Sequence, residues 1–295
     1  MMLSPRFIPV SAQFMLLSAL GFALMSATVK QVSEYGIPVL EIIAARALVS
    51  LLISYLDVKR KGLYLWGKNK QLLIARGAVG TFALVCVYYS VTTLPLAEAT
   101  LIQYLHPAFT AIIALVFLKE HLHVSTVLSI LLSLSGLIIM VKPEFLLGSG
   151  WQQSLPGLSV FVAMLGALGA AIAYVMVRKL SQTEDSSVII FYFPLIALPL
   201  SLALLGKDMV MPDVEVLLLL ILVGIFTQIG QVGLTKAMQT EQAGKATAYS
   251  YVQVIFAVIL GWIWFGEIPS IWSWTGGGLI ILGALINTLW KQKNL

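Results

Sequence analysis

AEATLIQYLHPAFTAIIALVFLKE, residues 97–120, returns 147 positions later as GKATAYSYVQVIFAVILGWIWFGE, residues 244–267. Ala99 meets Ala246, Thr100 meets Thr247, Tyr104 meets Tyr251, Phe109 meets Phe256, Ile112 meets Ile259 and Glu120 meets Glu267. The register runs on without a gap to Gly136 and Gly283. An earlier pair, ALGFALMSATVK at 19–30 and ALGAAIAYVMVR at 167–178, repeats at an offset of 148 and shares Ala19, Leu20, Gly21, Ala23 and Val29 with its copy. Two apolar helices share letters readily. A nearly constant offset across separate regions instead reads as a duplication, with halves at 1–147 and 148–295.

Composition sets the solvent. Hydrophobic residues are 59% of the chain, charged residues 11%, and mean hydropathy is +0.96. A soluble domain carries about 25% charged residues, so lipid must cover this chain. The apolar runs are long and continuous, which favours helices over spanning strands. Ten candidate spans fit: 10–29, 38–56, 72–92, 97–118, 124–141, 157–177, 187–205, 214–235, 245–265 and 272–290. Pro38, Pro95, Pro143, Pro156, Pro212 and Pro269 fall in the breaks, where a missing N–H costs least. The expected fold is therefore all-α and polytopic, with ten transmembrane helices as two five-helix repeats. Five is odd, so the second repeat enters the membrane inverted.

Basic residues give the orientation. With a cytoplasmic N-terminus, 14 of the 18 basic residues fall in inside segments, Arg76 among them. Lys30, Lys142 and Lys207 fall outside, and Arg46 lies within a span. The expectation is an integral protein of the cell (plasma or inner) membrane with both termini cytoplasmic. This accounts for the net charge of +5 without a nucleic-acid partner. The first apolar stretch reads as a retained span instead of a signal peptide. Cys86, the single cysteine, reads as a small buried hydrophobe.

Inverted repeats suit alternating access, because related halves can open to either side around a midplane site. The chain resembles the EamA-type transporters of the drug/metabolite transporter superfamily. The resemblance rests on the LPLAEATLIQYLHPAFTAIIALVFLKE segment, its partner ending in FGE, and the Gly-rich span after each. It implies a cavity framed mainly by spans 1, 3, 4, 6, 8 and 9. It also implies that the last span of each repeat packs peripherally or against a second copy, so a homodimer through those helices is an expected partner. Such transporters export amino acids, other metabolites or toxic compounds, and some exchange solutes.

Polar groups inside spans are functional hypotheses by default. Arg46 sits mid-span, with Glu41 five residues earlier and taken to lie on roughly the same side. Arg46 either tethers helices or binds an anionic group such as a carboxylate. Span 4 carries Gln103, Tyr104, His106 and Pro107, and its copy carries Tyr249, Tyr251 and Gln253, the last aligned with His106. Pro107 predicts a bend. Tyr88, Tyr89, Tyr174, Gln228, Gln231 and Trp264 complete the candidate lining. Glu41 and His106 are the coupling candidates, with a proton or a counter-substrate as the coupling partner. Tyr192, with Pro194 and Pro199, reads more weakly, since the prolines serve to shape the helix.

Gly136, Gly276, Gly277, Gly278 and Gly283 read as close-packing positions. Glu120 and Glu267 read as acceptors for turn donors. His121 and His123 lack the thiol or carboxylate cluster a metal would need, and no cofactor motif occurs. Gly148-Ser149-Gly150 lies in a loop, and no intramembrane Asp pair suggests an enzyme. The expected activity is secondary transport of a small metabolite, an amino acid or related organic solute, by export or exchange. A multidrug exporter is the alternative; a channel or intramembrane enzyme is more remote.

Overall fold

The computed structural model describes residues 9–94, 96–141, 156–266 and 268–290. Their helices are α1 (Val10–Ser33), α2 (Val39–Arg60), α3 (Lys70–Thr93), α4 (Leu96–Gln103), α5 (His106–Phe117) and α6 (Val124–Val141). In the second half follow α7 (Gly157–Leu180), α8 (Ser186–Leu205), α9 (Val214–Thr240), α10 (Ala243–Ala248), α11 (Val252–Phe265) and α12 (Ile271–Leu289). A 3-10 turn, Tyr249–Tyr251, joins α10 to α11. The pairs α4/α5 and α10/α11 are single crossings with a break, so the described residues form ten crossings, all helical. Nine of these are long and apolar enough to span a bilayer among the described residues, and the α6 stretch is a shorter apolar helix.

Local chemistry sets the helix ends. Pro9, Pro38 and Pro156 directly precede α1, α2 and α7, pre-setting φ where no donor is lost to a ladder. Asn69 Oδ1 accepts the Leu72 N–H at 3.2 Å, and Asp185 Oδ1 accepts the Ser187 N–H at 2.9 Å. Each satisfies a donor of the first turn. Pro212 and Pro269 lie in the loops before α9 and α12. Pro95, Lys142, Pro143, Glu267, Arg6, Lys291, Lys293 and the Gly148-Ser149-Gly150 triplet lie outside the described residues.

The packing shows the inverted duplication directly. Exchanging each crossing for its copy preserves the principal contacts. α1 packs on α9 as α7 packs on α3, and α2 lies on α9 as α8 lies on α3. The contacts α2 with α8 and α6 with α12 map onto themselves. A two-fold axis through the bundle requires this.

Helices α6 and α12 sit together at the periphery. A Cβ built on Gly136 would meet the Gly276 carbonyl, and one on Gly276 would meet the Gly136 carbonyl. Gly283 lies against Ser129 and Ser133 of α6 in the same way. Gly277 and Gly278, expected to pack closely as well, face open space. Only one residue in each helical turn can occupy the contact line. Gly136→Leu is therefore expected to separate α6 from α12 and lower the melting temperature by several degrees in fluorescence-detected gel filtration. Gly278→Ala should match or slightly exceed the parent, since it removes about 0.5–1 kcal/mol of backbone entropy cost without a clash. Equal behaviour of the two variants would refute the packing line.

The two ends of the bundle differ. At the end carrying Lys61 and Arg178, Met15, Val58, Leu73, Val177, Leu234, Met238 and Ala243 belong to one continuous buried cluster contributed by both halves. Ion pairs lie around it. Arg178 Nε donates to Glu120 Oε1 at 2.7 Å, and Arg178 Nη1 donates to the Met238 carbonyl at 2.7 Å. Glu120 Oε2 accepts the Ala243 N–H at 2.7 Å, the turn-donor role expected of it. Lys61 Nζ lies 3.0 Å from Asp185 and 2.9 Å from Asp57. Burial alone would raise the Asp185 carboxyl, but hydrogen bonds from Ser187 and Lys61 hold it below its ordinary value. At the other end the buried apolar groups are two separate sets. One holds Val32, Ile42 and Val223 of α1, α2 and α9; the other holds Leu94, Ile102 and Ala163 beside α3, α4 and α7.

Candidate functional site

The two broken crossings meet at the axis. Pro107 cannot donate to the preceding turn, and the helix breaks at Tyr104-Leu105 between α4 and α5. The copy breaks at the equivalent level, Tyr249–Tyr251, although Val254 stands where Pro107 would recur. Tyr104 and Tyr251, 147 positions apart, stack with ring centroids 5.9 Å apart. The Tyr251 hydroxyl donates to the Tyr104 carbonyl at 2.9 Å. Repeat-equivalent residues touch one another only near a symmetry axis, so this contact lies on the axis relating the two halves.

Around it lies an aromatic group. His106 stacks near Tyr104 at 6.1 Å and meets Tyr174 of α7 edge-on at 5.2 Å. His106 is buried, and its Nδ1 has no hydrogen-bond partner. Gln103, Gln253 and Tyr88 are half-buried on α4, α11 and α3. The structure thus brings Tyr104, His106, Tyr174 and Tyr251 into one cluster.

Other expected lining residues are elsewhere. Tyr89 is 39% exposed and Trp264 46% exposed, so neither joins the buried cluster. Gln228 is spent between helices. Its Oε1 accepts from Ser50 at 2.8 Å and its Nε2 donates to Ser54 at 2.9 Å, satisfying the amide against α2. Tyr249 is buried in the sealed end, 3.4 Å from Thr288 Oγ1. Tyr192 donates to the Trp66 carbonyl at 3.1 Å and has a structural place.

Glu41 and Arg46 are not an ion pair. Five residues on a helix turn about 140° away from a shared face. Glu41 Oε2 instead accepts the Val210 N–H at 2.9 Å, holding the loop before α9. Glu184 does the equivalent for α3, accepting the Lys68 and Asn69 N–H groups at 2.6 and 2.7 Å. Arg46, 6% exposed, has Nη1 3.6 Å from Met25 Sδ and its Cζ 5.9 Å from the Phe193 ring centroid.

Arg76 is the residue the sequence reading missed. It was counted with the loop cations, yet it lies within α3 and is 3% exposed. Its Nη2 donates to Gln231 Oε1 at 3.2 Å, and its Cζ is 5.1 Å from the Phe193 centroid. Its Nε and Nη1 are buried without partners. The signal was present, since an arginine four residues into the candidate span 72–92 is not a loop residue. Gln231, expected among the lining residues, is the hydrogen-bond partner of Arg76.

Inverted five-crossing repeats meeting at a polar, aromatic midplane define a secondary membrane carrier. The chain belongs to the EamA-like transporter family, whose model matches it twice, over residues 10–142 and 157–289. It is 29% identical over 270 residues to the pseudopaline exporter CntI of Pseudomonas aeruginosa, covering 91% of this chain and 92% of that protein. It is 32% identical over 294 residues to human solute carrier family 35 member G1, covering 95% of this chain and 80% of that one. A crystal structure at 16% identity superposes with a TM-score of 0.82, covering 95% of this chain and 96% of the other, and shows the shared fold.

Proposed function

We propose that this carrier exports or exchanges a small organic metabolite bearing a carboxylate, binding it between Arg76 and the Tyr104–His106–Tyr174–Tyr251 cluster. The observation that supports it most is the Tyr104–Tyr251 contact, which puts a polar site on the axis about which the halves would rock. Arg76 supplies an unpaired cation to that site. An exporter named among its relatives favours the outward direction.

In this reading both termini are cytoplasmic in the cell (plasma or inner) membrane. With Arg76 removed from the loop cations, the basic residues still divide 13 to 3 between the two sides. The sealed Lys61–Arg178 end is then the cytoplasmic one, and the form described is closed to the cytoplasm. His106 is a candidate for proton coupling, a counter-substrate being the other choice. The halves 1–147 and 148–295 act as the two moving units. The chemistry is binding and translocation, with no enzymatic step.

Substrate-dependent counterflow in proteoliposomes tests the function. Saturable exchange is expected; flux that rises without saturation would identify a channel. Orientation has its own measurement. In a Cys86→Ser background, Leu63→Cys should react with an impermeant maleimide only from the cytoplasm, and Met211→Cys, 88% exposed at the other end, only from outside. The reverse pattern would overturn the topology.

A further inference from the structure

Two arginines face one aromatic ring in the middle of the bundle, and neither has an acidic partner among the described residues. The Cζ atoms of Arg76 and Arg46 lie 5.1 and 5.9 Å from the Phe193 ring centroid. Arg76 uses Nη2 on Gln231 and leaves Nε and Nη1 buried and unbonded. Arg46 reaches only a thioether, Met25 Sδ at 3.6 Å, which is a weak acceptor unable to balance a charge.

The carboxylates with described partners are committed elsewhere. Glu41 and Glu184 hold backbone N–H groups of the loops before α9 and α3. Glu120 is paired with Arg178, Asp57 and Asp185 with Lys61, and Glu215 with the Tyr35 hydroxyl. No carboxylate among the described residues pairs with either arginine, so two uncompensated cations meet at Phe193. An uncompensated arginine within a bilayer is strongly disfavoured. An arriving anion would relieve this.

A single carboxylate would neutralise one guanidinium and leave the other. We propose that the solute carries two carboxylates. One sits on the free Nε–Nη1 edge of Arg76, whose planar fork fits a carboxylate bidentately. The other reaches Arg46, and the short apolar segment between them lies along Phe193. This rests on the carrier reading above and deepens it from one carboxylate to two. Phe193 lies within cation–π range of both cations. A ring face offers each a weak cation–π contact while the site is empty, and a carboxylate there would have closed it.

A thermal-shift titration of the purified full chain tests the proposal, using succinate, glutarate, butyrate, alanine and inorganic phosphate as probes. Succinate or glutarate should bind about tenfold or more tightly than butyrate, a difference of about 1.4 kcal/mol for the second ion pair. Arg46→Gln should reduce the dicarboxylates to the level of butyrate, and Arg76→Gln should remove the response to all carboxylates. Phe193→Leu keeps both cations and should keep most of the preference, and each variant is checked for monodisperse elution. The proposal fails if butyrate equals succinate, if Arg46→Gln leaves the preference intact, if phosphate binds as well as succinate, or if neither dicarboxylate shifts the protein. Alanine binding that depends on Arg76 but not on Arg46 would sink the second carboxylate and leave the carrier reading standing. Unsaturable flux in proteoliposomes would sink the carrier reading itself.

Discussion

Arg76→Gln is expected to reduce solute exchange by about 100-fold or more while making the empty protein more stable. The two effects have one origin. A guanidinium with two buried, unbonded nitrogens is destabilising until a ligand arrives. Glutamine keeps a polar contact available to Gln231 but removes the charge, so the ligand-free melting temperature should rise by several degrees. Binding then loses a charge-assisted hydrogen-bonded pair of about 1.5–3 kcal/mol, and the occluded state loses its neutralising partner as well. A structural arginine would behave oppositely, with lower stability and partial activity. Lower stability in Arg76→Gln with normal exchange would remove Arg76 from the site.

Glu120→Gln is expected to open the sealed end. Glu120 ties three elements together: α7 through Arg178, α10 through the Ala243 N–H, and its own segment after α5. Arg178 in turn holds the last turn of α9 through the Met238 carbonyl. Both side chains of the pair are more than four-fifths buried. Breaking such a pair costs a few kcal/mol because the remaining charge loses its partner. Cutting the full 3–5 kcal/mol range to about 2 kcal/mol for the remaining exposure still shifts a two-state equilibrium roughly 30-fold. Thr235→Cys, at a fully buried position of α9, reports this. In the Cys86→Ser background its maleimide reaction should be slow in the parent and at least several times faster with Glu120→Gln. Unchanged reactivity would mean the clasp does not control opening.

The sequence reading and the structure agree most closely where physics is local. Lipid as solvent makes each crossing a separate apolar run, so ten helices could be counted before any packing was known. Pro107 announced the break in the fourth crossing because a missing N–H acts within one turn. The break in the ninth crossing carried no such mark, and the sequence did not announce it. Among site residues, Tyr104, His106, Tyr174 and Tyr251 were legible because both copies carry aromatic and polar groups at one depth. Gln228 and Gln231 show where that reasoning stops. Both point inward, yet one is consumed by Ser50 and Ser54 and the other serves Arg76.

The duplication read from residues 97–120 and 244–267 determined by itself the number of crossings, their inversion and the family. Those follow from hydrophobicity, an odd repeat and a constant offset, none of which needs a distance. Tertiary structure decided which polar side chains remain unsatisfied. It took Glu41 away from Arg46, left Tyr89 and Trp264 outside the buried cluster, and moved Arg76 from the loop cations into the buried bundle. Sequence gives the cost of placing a charge in lipid, but only the packed neighbours show whether another residue or an incoming solute balances it.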